Sequence, residues 1–158
     1  MVNLRPVAFV TAVFTVVCFV LSGLTVFAQP DVSASCAALM VAETGELIYG
    51  KNEHDRRSMA STTKIMTSLL AIEALTPQRK ITVSADMLNV EGTSMGLLPG
   101  DTVTLEGLVY GMLLQSGNDA ANVTAITLGG NVENFVSMMN KRAGEIGMND
   151  THFETPSG

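Results

Sequence analysis

Residues 7–27, "VAFVTAVFTVVCFVLSGLTVF", contain no charged side chain, and that run decides how much of the chain can enter a folded globule. About twenty such residues are enough to cross a bilayer as a helix, so a stretch of this length is either removed or placed in lipid. Arg5 supplies a positive flank ahead of it, and Val26-Phe27-Ala28 puts small or branched residues just before Gln29-Pro30, where a signal peptidase reads. Residues 1–28 therefore read as a secretory signal peptide, with an uncleaved anchor as the alternative, and everything after them as exported. Residues 29–158 remain, which is the size of one domain. The 47% hydrophobic content overstates the core, because the terminal run inflates it.

Charge and cysteine usage narrow the function classes. Fifteen acidic residues against nine basic ones give a formal net charge of −6. Basic residues cluster no further than Arg56-Arg57, Arg79-Lys80 and Lys141-Arg142, so nucleic acid is excluded as a partner. Cys18 lies in the apolar run behind Val16-Val17, which is not a lipidation context. That leaves Cys36 alone beside Ala37 and Ala38, on an expected strand, as a small buried hydrophobe without a role. His54 and His152 sit in polar loops, and no H-x-x-x-H or paired-cysteine spacing exists, so neither metal nor cofactor is expected.

The pattern from residue 37 onward starts with "AALMVAETGELIYGKN", two apolar runs around Glu43-Thr44-Gly45-Glu46, which predicts a β-hairpin. A polar loop follows, and then Ile65, Leu69 and Ile72, with Met66 and Leu70 beside them, predict a helix of about four turns that ends before Pro77. Residues 80–84 and 90–102 read as excursions outside the core. Thr104 is placed to cap a helix with Leu105, Leu108, Val109, Met112 and Leu113 on its buried face. Asp119 is placed to cap a third helix, which stops at Gly129-Gly130. Val132, Phe135, Val136, Met139, Ala143 and Ile146 mark a fourth, closed by Gly147. One hairpin followed mainly by helices predicts an α+β fold.

Two constellations carry chemistry. Ser61-Thr-Thr-Lys64 puts a hydroxyl and an amine three residues apart on one face of the first helical turn, near free backbone N–H groups that favour a developing oxyanion. For the amine to act as a base its pKa has to fall from ~10.4 toward ~7 to 8, which burial achieves. The bland reading makes Ser61 an N-cap and Lys64 a solvated residue, and spacing alone favours it. Ser116-Gly117-Asn118 occupies a tight interhelical loop, where the hydroxyl is able to relay a proton and the amide to hold a carbonyl or the lysine amine. A simple capping turn is its bland reading.

In order along the chain come an export signal, a hairpin, "STTKIMT", a Gly-rich stretch, "LLQSGNDAAN", then F-V-S-M-M-N and G-M-N-D-T-H-F. That order resembles the serine-type D-alanyl-D-alanine carboxypeptidases, the low-molecular-mass penicillin-binding proteins of peptidase family S11, over residues 36–158. The resemblance implies a β-lactamase/transpeptidase-like fold, with the hairpin belonging to an antiparallel sheet beside a mainly helical subdomain. It matches Ser61 to the acylated nucleophile and Lys64 to the general base. It matches Ser116 to a proton shuttle and Asn118 to a substrate-binding residue. The implied substrate is a peptidoglycan stem peptide ending in D-Ala-D-Ala, with β-lactams as inhibitors and no metal or organic cofactor. The implied location is the bacterial cell envelope, with membrane contact only through the N-terminal segment.

The family's third motif, K-T-G on a strand of the sheet, occurs nowhere in the 158 residues. In the family that strand brings a lysine, a carboxylate-binding threonine and a second oxyanion donor. Residues 29–158 are therefore expected to form a partial catalytic domain, truncated before K-T-G and without the C-terminal strands. One lost oxyanion donor alone corresponds to roughly 10²- to 10³-fold in rate. A serine β-lactamase on the same scaffold is one rival, although "MNDTHFETPSG" lacks the E-x-x-L-N loop of class A enzymes. A noncatalytic peptidoglycan-binding module is the other.

Overall fold

The computed structural model describes residues 30, 32–74 and 76–158. The expected signal peptide lies outside the described residues, and among those described no helix is long and apolar enough to cross a membrane. The chain divides into two compact units, Met1–Asp55 and Arg56–Gly158.

The first unit holds the hairpin. Strand β1 (Ala37–Met40) pairs antiparallel with β2 (Leu47–Lys51), with the register shifting between Leu39 and Met40. The turn closes by a hydrogen bond from the Val41 N–H to the Glu46 carbonyl (2.9 Å) and one from the Gly45 N–H to the Val41 carbonyl (2.8 Å). Gly45 takes φ +72°, the left-handed conformation for which glycine has no steric penalty. Cys36 is half-buried in a bend just ahead of β1, and thus neither on the strand nor fully buried as expected. The strand begins one residue later, where the pairing of Ala37 with Lys51 starts.

The second unit is a helical assembly. A 3₁₀ turn (Ala60–Thr63) leads directly into α1 (Lys64–Glu73). A two-stranded ribbon of β3 (Lys80–Thr82) and β4 (Thr102–Thr104) follows, then α2 (Leu105–Gln115), α3 (Asn118–Gly129) and α4 (Val132–Glu145). Thr104 caps α2 as expected, its hydroxyl accepting from the Gly107 N–H at 3.0 Å. The fourth helix ends in a Schellman closure. The Met148 N–H reaches the Ala143 carbonyl (2.9 Å) and the Gly147 N–H the Gly144 carbonyl (3.2 Å), with Gly147 at φ +85°.

Helix α3 is the axis of this unit. Ala120, Ala121, Val123 and Ala125 are all fully buried, and such small side chains let neighbouring helices approach closely. One cluster, comprising Ile81, Val83, Leu105, Leu108, Val109 and Met112, packs with Ala120, Ala121 and Val123. A second joins Met66, Leu70, Phe135, Met139, Ala143 and Phe153 to Ala125.

Four expectations differ from the structure. Residues 80–84 and 90–102 are not mere excursions: Ile81 and Val83 are buried in the core, Met95 and Leu97 pack against it, and residues 102–104 form β4. A three-residue strand is too short for its alternation to stand out in sequence. On α1, Ile65 and Ile72 are 64% and 60% exposed, while the buried face carries Lys64, Met66, Thr67, Ser68, Leu70 and Ala71. Helical periodicity locates a stripe but not the side on which a polar stripe finds partners. Leu113 and Ile146, at the ends of their helices, are exposed as well. Finally, Gly117 rather than Asp119 occupies the cap of α3, and Asp119 lies inside its first turn.

Candidate active site

The 3₁₀ entrance to α1 presents Ser61 at the surface and turns Lys64 inward. Ala60, just before the serine, is held at φ +45°, a left-handed conformation that costs a non-glycine residue roughly 1–2 kcal/mol. Lys64 is 1% exposed, and its Nζ lies 3.1 Å from Ser61 Oγ, 3.5 Å from Ser116 Oγ and 3.1 Å from the Ser157 carbonyl oxygen. Burial holds its pKa below the usual lysine value. The two sequence constellations, 52 residues apart, therefore meet at one amine.

Ser116 ends α2 in the left-handed conformation at φ +55°, which turns the chain sharply into α3 and aims the hydroxyl back toward Lys64. Non-glycine residues in this region cluster at functional sites, where surrounding contacts enforce the strain. Here those contacts are a bond from Thr93 Oγ1 to the Ser116 carbonyl (2.6 Å) and one from the Gly117 N–H to the Gly111 carbonyl (3.1 Å). Asn118 is placed differently. Its Nδ2 donates to the Glu91 carbonyl at 2.6 Å and its N–H to the Thr93 carbonyl at 2.7 Å, so the amide contacts the 91–93 segment and not the lysine amine. A cavity of about 300 Å³ beside it is lined by Glu91, Asn118, Asn122, Val132 and residues 155–158.

Four contributors escaped the sequence reading. Ser157 acts through its carbonyl, which side-chain chemistry does not reveal. Thr67, one turn after Lys64, donates to the Pro156 carbonyl at 2.7 Å and fixes the same segment against α1. Asn140 clasps the backbone of Phe153 twice, its Oδ1 accepting from the N–H and its Nδ2 donating to the carbonyl, both at 2.8 Å. Asp119 is the fourth, with its carboxylate turned toward residues 94–97. The signal for Asn140 and Phe153 was present, since both stand in blocks that carried the resemblance, but nothing in the sequence joined them.

The family model for D-alanyl-D-alanine carboxypeptidases, peptidase S11, matches residues 24–158. This chain belongs to the S11 family. It is 38% identical over 130 residues to the D-alanyl-D-alanine carboxypeptidase DacF of Bacillus subtilis, covering 79% of this chain and 33% of that protein. To DacD of Escherichia coli it is 36% identical over 140 residues, covering 82% and 36%. Among solved structures, a D-alanyl-D-alanine carboxypeptidase DacD from Francisella tularensis superposes with a TM-score of 0.78 at 37% identity, over 83% of this chain and 33% of that one. A D-alanyl-D-alanine carboxypeptidase from Mycobacterium tuberculosis gives 0.79 at 31%, over 83% and 49%. The S11 chain described here thus has the penicillin-binding, transpeptidase-like α+β fold, and it spans about a third of the length of the curated relatives named.

Proposed function

We propose that residues 29–158 carry the acylating centre of a serine D-alanyl-D-alanine carboxypeptidase that acts outside the cytoplasm on peptidoglycan stem peptides, after export directed by residues 1–28. Ser61 is the nucleophile, Lys64 the general base, Ser116 the proton shuttle, and Asn118 a substrate-binding residue. The observation that carries this reading is the buried Lys64 amine, 3.1 Å from one serine hydroxyl and 3.5 Å from the other.

The three contacts of Lys64 suit a neutral amine. Such an amine has two N–H donors and one lone pair. The Ser157 carbonyl can only accept, so it takes one N–H. Ser116 Oγ takes the other, which leaves the lone pair for the Ser61 proton. Burial supports that charge state by disfavouring the ammonium form. As Ser61 Oγ bonds to the carbonyl carbon of the penultimate D-alanine, its proton passes to Lys64. As the C–N bond breaks, a proton travels from Lys64 through Ser116 to the departing amine, and D-alanine leaves. Water then hydrolyses the ester, with the same amine as base. Proton transfer of this kind contributes about 10²- to 10⁴-fold.

A β-lactam follows the first half of the same path, so labelled penicillin tests the reading directly. Incubation of the chain with the label and peptide mapping should give a covalent adduct on Ser61, absent in Ser61→Ala. Label retained at another residue in Ser61→Ala sinks the assignment of the nucleophile. Rapid release of label would point to a β-lactamase, and no label at all to a noncatalytic binding module.

A further inference from the structure

The Asp119 carboxylate is 4% exposed and accepts five hydrogen bonds. Its Oδ2 accepts from Ser94 Oγ (2.6 Å) and from the N–H groups of Gly96 (3.1 Å) and Leu97 (3.0 Å). Its Oδ1 accepts from the N–H groups of Met95 (3.0 Å) and Ala120 (2.9 Å). An ionised carboxylate has about four lone-pair sites, so this one is saturated. Charge-assisted bonds of this type are about twice as strong as neutral ones. Burial alone raises the pKa of the group, but the hydrogen bonds from Ser94, Leu97, Met95 and Ala120 together outweigh it and leave it below the usual aspartate value.

The strap that Asp119 holds is the one that touches the site. Three residues before Gly96, Thr93 accepts from the Asn118 N–H through its carbonyl and donates to the Ser116 carbonyl through its hydroxyl. Glu91, two residues further back, accepts from the Asn118 amide. The middle position of Ser116-Gly117-Asn118 fits the same account. A Cβ on Gly117 would lie 2.8 Å from Asp119 Oδ1 and 3.1 Å from the Met95 nitrogen, so the clamp occupies the space a side chain there would need.

We propose that Asp119 is a positioning residue for acyl transfer: it clamps residues 94–97, and the strap so fixed holds Ser116 and Asn118 in place relative to Lys64. This rests on the reading of Ser61 and Lys64 given above. In Asp119→Asn one oxygen becomes an amide that faces backbone N–H donors, so the clamp opens with little change in volume. A displacement of about 1 Å at a catalytic group costs up to ~10²-fold in rate.

The test compares Asp119→Asn, Thr93→Val and the double variant, reading the rate of penicillin labelling at Ser61 and the hydrogen exchange of the Met95, Gly96 and Leu97 amides. Asp119→Asn should slow labelling by ~10- to 100-fold and speed exchange at those three amides, while α4 stays protected. Thr93→Val should slow labelling less, and the double variant no more than Asp119→Asn alone, because both act through one strap. Rate losses that multiply overturn the proposal, as does unchanged labelling in Asp119→Asn with the amides freed. Should Asp119→Asn not fold, Ser94→Ala takes its place, since it keeps the charge and the bonds to the four N–H groups. It should slow labelling a few-fold and be non-additive with Thr93→Val, and additivity or no effect counts against the clamp. If the parent chain takes no label at Ser61, the nucleophile assignment fails, and exchange at the three amides alone decides whether Asp119 is a clamp.

Discussion

Lys64 carries a strongly hydrated ammonium group when charged, yet it is 1% exposed. Three oxygens lie within 3.5 Å of Nζ, but none of them carries a compensating negative charge, so burial still disfavours the ammonium form. The sign of the pH dependence follows. Because the folded pKa lies below the ordinary 10.5, the charged amine penalises the native state, in full below the folded pKa. That penalty is relieved as pH rises from the folded pKa toward 10.5. Penicillin labelling should accordingly rise with pH through an ionisation below 10.5, a step that a pH–rate profile locates. Lys64→Met should abolish labelling yet leave Tm at neutral pH equal to or above that of the parent, as read by thermal denaturation. A fall in Tm would mean that the amine stabilises the fold. At this scale the sequence conveyed the partners Ser61 and Lys64, since three-residue spacing is local. It did not convey Ser157 or Thr67, which matter through carbonyls some ninety residues away.

At the scale of elements, two kinds of contact are diagnostic. Gly92 sits at φ +92°, and a Cβ there would lie 2.7 Å from Asn118 Nδ2. Gly92→Ala should therefore displace the Asn118 amide and slow penicillin labelling by about tenfold or more, with a stability cost of ~1–2 kcal/mol from the left-handed backbone. Labelling kinetics and urea denaturation separate the two effects. The helix pair α3 and α4 depends on Phe135, which is fully buried against α3, and a Cβ on Gly129 would overlap its backbone. Phe135→Ala should cost about 3–5 kcal/mol in urea unfolding, through lost transfer energy and the cavity left behind. The cap at Thr104, the stop at Gly129-Gly130 and the closure at Gly147 were legible because their signals lie within one turn. The ribbon of β3 and β4 was not, because its two strands lie about twenty residues apart and gain their meaning only by pairing.

For the whole molecule, burial divides the chain unevenly. No described residue of the first unit is buried, whereas the second contains both core clusters. An isolated two-stranded hairpin is marginal in water. Hydrogen exchange should thus show the amides of β1 and β2 exchanging well before those of α2 and α3, and equal protection would contradict that ordering. The polar surface contributes little to this difference. Arg142 bridges Glu73 and Glu145 at the surface, where salt screens such pairs.

The sequence by itself determined the class of fold, the cap of α2 and the stops of α3 and α4, the family, and the serines and lysine that face one another at the candidate site. Each of these is written in residues a few positions apart or in motifs whose order along the chain is distinctive. Only the tertiary structure decided which face of α1 is buried, that Ile81 and Val83 belong to the core, and that Asp119 grips residues 94–97. Those outcomes depend on where partners from distant segments arrive. A polar side chain is buried when carbonyls and N–H groups meet it there, and a chain read in order does not state who will meet.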